Sequence, residues 1–220
     1  MQNQNIKIAA FDVDGTLTFT DSFMLFLRYI AGKWGFVLKM LGLAPIFILY
    51  GIRIISRDDA KNHILSAFLK DFPYTDYIAK CEEFAKVTYP KIVRTDGMTA
   101  IKTHQGANDI VCLVSASLED YLKPWAKTLG IENVIATKME VIDGRLTGRM
   151  HGPNCRAQGK VDCIRAVFGN TPIITAYGDS RGDKEMLEAA EHGFYRKLLD
   201  EPKNAKAIKN SLYWGDGFSQ

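Results

Sequence analysis

The chain has 220 residues, of which 47% are hydrophobic and 24% charged, and its formal net charge is +3. That balance excludes wholesale disorder and suits one α/β domain, or a core domain with a smaller unit inserted into it. The charge is too weak to argue for a nucleic-acid partner, and no aromatic-basic array of the single-strand-binding kind is present.

The N-terminus lacks the basic start and long apolar run of a signal peptide, so the expected location is the cytoplasm. A short apolar run predicts a first strand over Ile6–Phe11, ending at two acids and a Gly-Thr pair. Residues 22–89 carry apolar side chains at helical spacing, with Asp21 or Ser22 as a cap and Asp58 and Asp59 opening another helix. Within this stretch residues 40–52 are uncharged, bounded by Lys39 and Arg53 and broken by Pro45. A span needs about 20 apolar residues, so a buried or interfacial helix is expected. Arg28, Lys33, Lys39, Arg53 and Arg57 are the charged residues of 28–57, and no acid accompanies them. Basic residues flanking an apolar segment predict peripheral contact with an anionic membrane through residues 34–57, at the inner membrane face. The plainer alternative is a helix packed on its neighbours.

From about residue 96 strands and helices alternate. Ile110–Val114 reads as a buried strand, Glu119–Leu129 as a helix, and Val134–Thr137 as a strand. Asp143-Gly144 between apolar pairs signals a tight hairpin over Val141–Leu146. A helix over Gly159–Phe168 should stop at Gly169, a buried strand covers Ile173–Tyr177, and a helix over Asp183–Glu191 should close at Gly193. Pro202 suits the first turn of a last helix, and Trp214–Gln220 reads as a loosely ordered tail. This alternation implies an α/β fold with a mainly parallel sheet, and the early helical stretch becomes an insertion. Ligands of such sheets bind at the strand carboxyl ends, where the insertion would lie as a lid.

Four groups of residues sit just after these strands or at a helix start. Asp12 and Asp14, one residue apart, can converge on a cation, and magnesium prefers such oxygen ligands. Gly15 lets the backbone turn and, with Thr16, leaves amides to meet phosphate oxygens. Ser115 could hydrogen-bond a phosphate oxygen, or merely cap a helix. Lys160 lies in the first turn of a helix, where the dipole favours anions; it reads as a plain surface lysine or, given that misfit, as a group that neutralises phosphate charge. Asp179 could complete the cation site, and Asp183 could support the cation or hold Lys160. Cys81, Cys112, Cys155 and Cys163 include no C-x-x-C pair, so neither zinc nor redox chemistry is expected. His63, His104, His151 and His192 fit no ligand spacing, and Trp34, Trp125 and Trp214 read as packing groups.

In this order the four groups resemble the haloacid dehalogenase superfamily, over about Ile6–Leu187. The helical insertion is similar to the cap of the subclass containing phosphoserine phosphatases. The resemblance implies a Rossmann-like core, residues 1–18 and 96–220, and a mostly helical cap, residues 19–95. It implies a Mg2+-dependent phosphomonoester hydrolase in which Asp12 is the nucleophile and Asp14 the general acid and base. Asp12, the Asp14 backbone carbonyl and Asp179 would bind magnesium; Ser115 and Lys160 would hold the phosphoryl group; Asp183 would support cation and lysine. An acid at position 14 argues against the dehalogenase and phosphonatase branches. Where phosphoserine phosphatases carry a glutamate shortly after the first motif, this chain has Asp21. Some members of the subclass act on phosphatidylglycerophosphate and carry a similar apolar cap segment, so the substrate is expected to be a small or amphipathic, even lipidic, phosphate. The alternatives are a phosphotransferase or mutase using the same aspartyl phosphate, and a membrane-surface binding module with a degenerate site.

Overall fold

The computed structural model describes residues 7–196 and 198. The predicted strand start at Ile6, the helix from Pro202 and the tail with Trp214 lie outside the described residues. Strand β1 covers Ile8–Phe11, and all four residues are buried. Side chains alternate across a strand. Ile8 and Ala10 therefore join one apolar cluster and Ala9 and Phe11 another, on opposite faces of the sheet. Such burial on both faces belongs to the middle of a parallel sheet. β1 pairs in parallel with β2 (Ile110–Leu118) on one side and β5 (Ile173–Gly178) on the other.

With β3 (Asn133–Ile142), β4 (Arg145–His151) and β6 (His192–Tyr195), the six strands of the described residues run in the order β4-β3-β2-β1-β5-β6. Only β4 is antiparallel, joined to β3 by the predicted Asp143-Gly144 hairpin. Both turn residues have positive φ, 49° and 72°, as that two-residue turn demands. The fold is α/β with a mainly parallel sheet, as the alternation required.

Between β1 and β2 run α1 (Ser22–Gly42), α2 (Ala44–Gly51), α3 (Arg57–Leu69), α4 (Tyr74–Ile92) and α5 (Thr95–Gly106). Asp21 caps α1 by accepting from the Met24 amide at 3.0 Å. Ser56 and Asp59 form a reciprocal box at the start of α3. The chain leaves and re-enters the sheet through two adjacent segments. The Phe19 amide donates to the Ile92 carbonyl at 2.9 Å, and the Arg94 amide to the Leu17 carbonyl at 2.8 Å. After β2 come α6 (Glu119–Thr128), α7 (Gln158–Phe168) and α8 (Lys184–Ala189).

Several sequence expectations need correction. β2 runs past Val114 through Ser115 to Leu118, with its register against β3 broken between Ser115 and Leu118. Gly193 does not close a helix: α8 ends at Ala189 and Gly193 lies in β6. A Cβ there would meet the Leu187 carbonyl oxygen at 2.5 Å, so close packing of helix end on strand demands the glycine. Trp125 does pack, stacked on Tyr89 at 4.2 Å, but Trp34 is 74% exposed. His104 is buried and satisfied, 2.7 Å from Asp109 and 2.9 Å from the Tyr177 hydroxyl. Among the described residues no single helix is long and apolar enough to cross a membrane; the bent pair α1 and α2 meets that test only jointly, by length and composition.

Candidate active site

The carboxyl ends of β1, β2 and β5 open into one cavity of about 460 Å3. It is lined by Asp12, Asp14, Ser115, Lys160, Asp179 and Asp183, so the sequence's scattered candidates share one volume. Asp12 follows β1 directly, and its amide donates to the Tyr177 carbonyl of β5 at 2.9 Å, locking it at the sheet's centre.

Lys160 is the keystone. It is 1% exposed, and its Nζ lies 2.5 Å from Asp12 Oδ1, 2.5 Å from Asp183 Oδ1 and 2.8 Å from the Val114 carbonyl. Each of its three protons has an oxygen to meet. Burial alone would lower its pKa, but Asp12 and Asp183 outweigh burial and hold it well above the usual lysine range. Burial likewise pushes Asp183 up, yet Lys160 and Ser180 bring it below the ordinary carboxylate value. Asp183 Oδ2 also accepts from the Ser180 amide at 3.0 Å and hydroxyl at 2.8 Å. Asp12 is raised, by burial first and by the neighbouring Asp183 and Asp14 charges, with Lys160 opposing. Asp179 is raised by burial and by Asp183.

Asp12, Asp179 and Asp183 offer carboxylate oxygens all within 4.8 Å of one another. An all-oxygen set of this charge, with one lysine for three acids, fits a small hard dication such as magnesium. The Asp14 carboxylate is turned elsewhere. It accepts from the Ser22 amide at 2.8 Å and from the Ser117 hydroxyl. Burial raises the Asp14 pKa, with the Ser117 and Ser22 hydrogen bonds opposing.

Gly15 has φ +85°, and a Cβ on it would fall 2.2 Å from Asp179 Oδ2, so the glycine lets the third acid approach. Thr16 differs from expectation. Its amide donates to the Val13 carbonyl at 3.2 Å and its hydroxyl to Asp12 Oδ2 at 3.1 Å, so it orients a carboxylate rather than offering an amide. Ser115 is 1% exposed, and its oxygen accepts from the Ser117 amide at 3.0 Å, leaving the hydroxyl proton for another acceptor.

Sequence reading missed Ser22 and Ser117, the two holders of Asp14. Ser117 sits two residues past Ser115 on the same strand, and that alternation was the available signal. It also missed Lys61 of α3, which crosses to the sheet. Its Nζ donates to the Ala116 carbonyl at 2.5 Å, Asn154 Oδ1 at 2.8 Å and Thr137 Oγ1 at 3.0 Å. Nothing in the local sequence marks it.

A family model for haloacid dehalogenase-like hydrolases matches residues 9–188. Protein CicA of Caulobacter vibrioides is 35% identical over 198 residues, covering 89% of this chain and 88% of its own length. Phosphoserine phosphatase SerB1 of Mycobacterium tuberculosis is 29% identical over 191 residues, covering 81% of this chain and 61% of its own. Among solved structures, a phospho-aspartyl intermediate analogue of phosphoserine phosphatase superposes with a TM-score of 0.57 at 26% identity, covering 85% of this chain and 84% of that one. A protein of unknown function from Bordetella pertussis shares the fold with a TM-score of 0.72 at 24% identity, over 84% of this chain and 87% of that one.

Proposed function

Because the chain belongs to the haloacid dehalogenase-like hydrolases and is a phosphatase of the phosphoserine phosphatase-like kind, we propose that it cleaves phosphomonoesters through a phosphorylated Asp12, with magnesium held by Asp12, Asp179 and the Asp14 carbonyl and supported by Asp183. The observation carrying this reading is the bridge of Lys160 between Asp12 and Asp183 beside Asp179. A carboxylate nucleophile and a phosphate dianion repel, so turnover needs positive charge fixed between them. Lys160 supplies part of it from a buried position that needs no rearrangement. Magnesium, when bound, supplies the rest and polarises the phosphoryl oxygens.

The chemistry balances on two acids. An Asp12 oxygen bonds to phosphorus while the ester oxygen leaves and takes a proton from Asp14. Water then attacks the aspartyl phosphate, Asp14 accepts its proton, and phosphate departs with Asp12 restored. Burial favours the protonated form of Asp14 that the first step uses. Ser115 and Lys160 face the transferring group. The insertion, residues 19–95, serves as the cap of a core made by residues 1–18 and 96–220, and so selects the leaving group. The test is phosphate release over a panel of esters, with magnesium and with chelator, and mass analysis of trapped Asp12. Asp12→Asn should abolish release while the circular-dichroism spectrum is kept; near-normal release by that variant overturns the reading. Phosphorylated acceptor in place of free phosphate would make the chain a phosphotransferase.

A second reading, of where the enzyme works, rests on α2. None of its residues is buried, Ile48 is 63% exposed, and in the segment just past its end Ile52 is 60% and Ile54 66% exposed. Phe47 and Tyr50 of the same helix line the catalytic cavity. An apolar outer face followed in sequence by Arg53 and Arg57 suits an anionic bilayer and an amphipathic leaving group. The expected result is sedimentation with anionic vesicles that Ile48→Glu with Ile52→Glu prevents; wild-type protein that ignores such vesicles refutes it.

A further inference from the structure

Past Val114, β2 carries its two site serines on backbone that has left the ladder. Its register against β3 steps from Ser115 beside Ala136 straight to Leu118 beside Thr137, so Ala116 and Ser117 bulge out. A bulge re-aims side chains, and it keeps its shape only where the freed backbone groups find other partners. The Ser117 amide finds Ser115 Oγ at 3.0 Å. The Ala116 carbonyl, between the two serines, accepts from the Thr137 hydroxyl at 2.9 Å and from Lys61 Nζ at 2.5 Å. Lys61 belongs to α3, 55 residues earlier in the chain. That helix is itself pinned against β4: the Met150 amide donates to Asn62 Oδ1 at 3.0 Å, and a Cβ on Gly148 would lie 2.6 Å from Ser66 Cα.

The same turn of α3 grips a second segment of the site. Lys61 donates to Asn154 Oδ1 at 2.8 Å, and Asp58 accepts from Asn154 Nδ2 at 2.8 Å. The Asn154 carbonyl abuts Gly159, where a Cβ would fall 2.6 Å from it, and Gly159 directly precedes Lys160. With Thr137 Oγ1 at 3.0 Å, each of the three Lys61 protons meets a neutral protein oxygen, so the ammonium is committed to the protein and not to a ligand. We infer that Lys61 is a positioning residue for phosphoryl transfer: by holding the Ala116 carbonyl it sets Ser115 and Ser117 in their working places, and through Ser117 the Asp14 carboxylate. This rests on the phosphatase reading above. A hydrogen bond from a charged donor is about twice as strong as a neutral one, so the Thr137 hydroxyl alone holds the bulge less firmly. Ser115 faces the transferring group and Ser117 donates to Asp14, so one displaced carbonyl disturbs both the phosphoryl seat and the proton donor.

The test measures kcat and KM of Lys61→Met in the full chain with magnesium, on one ester with a neutral leaving group and one with an anionic leaving group. kcat should fall at least about tenfold, since displacing a catalytic group by an ångström costs up to about a hundredfold, and the fall should agree within about twofold for the two esters. A loss confined to the anionic ester, or seen in KM alone, overturns the inference, because Lys61 then acts on the substrate directly. Combining Lys61→Met with Ser117→Ala should cost at least about threefold less than the product of the single losses; losses that multiply refute action through the serine. Should Lys61→Met fail to fold by circular dichroism, Thr137→Val removes the other donor to the same carbonyl and carries the same comparisons. If the wild type hydrolyses no ester, the phosphatase reading fails, and amide hydrogen exchange still decides. Lys61→Met should then speed exchange of the Ser117 amide at least about tenfold and leave the Ala10 amide of β1 unchanged; unchanged exchange at Ser117 refutes the role.

Discussion

Replacing Lys160 by methionine keeps most of the side-chain volume and removes the one ammonium between Asp12 and Asp183. Both carboxylates are buried, at 6% and 1% exposure, and each loses a partner 2.5 Å away. Breaking a buried pair by deleting one partner costs about 3–5 kcal/mol, because the surviving charge stays buried without compensation. In a chain of this size each kcal/mol moves the melting temperature by about 2–4 °C, so a fall of about 6–20 °C is expected. Urea unfolding in chelator measures the change directly.

The variant can reduce its penalty by protonating one acid, which fixes a sign. Without the lysine both folded-state pKa values rise above the unfolded value, so the folded state binds extra protons and gains stability as pH falls toward 4. In the wild type Asp183 is depressed, so its contribution is present above its unfolded pKa and lost as pH falls through the folded one. The difference in stability between wild type and variant should therefore shrink on acidification. Adding Asp183→Asn to Lys160→Met should recover part of the loss. A destabilisation below about 1 kcal/mol, or a difference that grows at low pH, would refute the account of Lys160 as the charge that makes the cluster tolerable.

Gly15→Ala forces an L residue into positive φ and drives its methyl into Asp179, so stability should fall by about 1–2 kcal/mol and phosphate release at least about a hundredfold, read by urea titration and release assay. Lys61 has its pKa lowered to about 8, chiefly by burial. Above pH 8 the unfolded chain holds more protons at this residue than the folded one, so stability rises with pH there. Between pH 8 and 9 the wild type should gain about 1 kcal/mol relative to Lys61→Met, measured by urea titration at the two pH values.

The fold was legible because its signals are local. β1 and β5 are short apolar runs ended by acids and glycine, and the Asp143-Gly144 turn is set by two residues that accept positive φ. What was lost was long-range. Gly193 reads as a helix stop, and only the position of the Leu187 carbonyl shows that a strand and a helix end meet there. At the site, Asp12 and Asp183 could be named because acids follow closely on strand ends, and Lys160 because a cation in the first turn of a helix is a misfit. Ser22, Ser117, Arg57, Arg156 and Lys61 could not, because a serine or a surface-like cation carries no local anomaly. Their meaning comes from partners up to 103 residues away, as with Ser117 and Asp14.

Taken together, the charges give the cavity two poles. Asp12, Asp14, Asp179 and Asp183 line it with one ammonium, Lys160, among them, and Arg57, Arg156 and Lys61 add three further cations to the same lining. An anionic ester meeting this field with the acid cluster uncompensated is drawn to these cations and repelled from Asp12, so its phosphoryl group settles away from the nucleophile. A dication at the acid cluster reverses that preference, and the ester can then lie with its phosphoryl group on Asp12. Orientation, and not affinity alone, then depends on the metal. A phosphonate should accordingly still bind in chelator, with an affinity that falls steeply as salt is raised, while in magnesium the salt dependence should be weaker. No binding in chelator, or one salt slope in both conditions, would show that the two poles do not act on the ligand as separate charges.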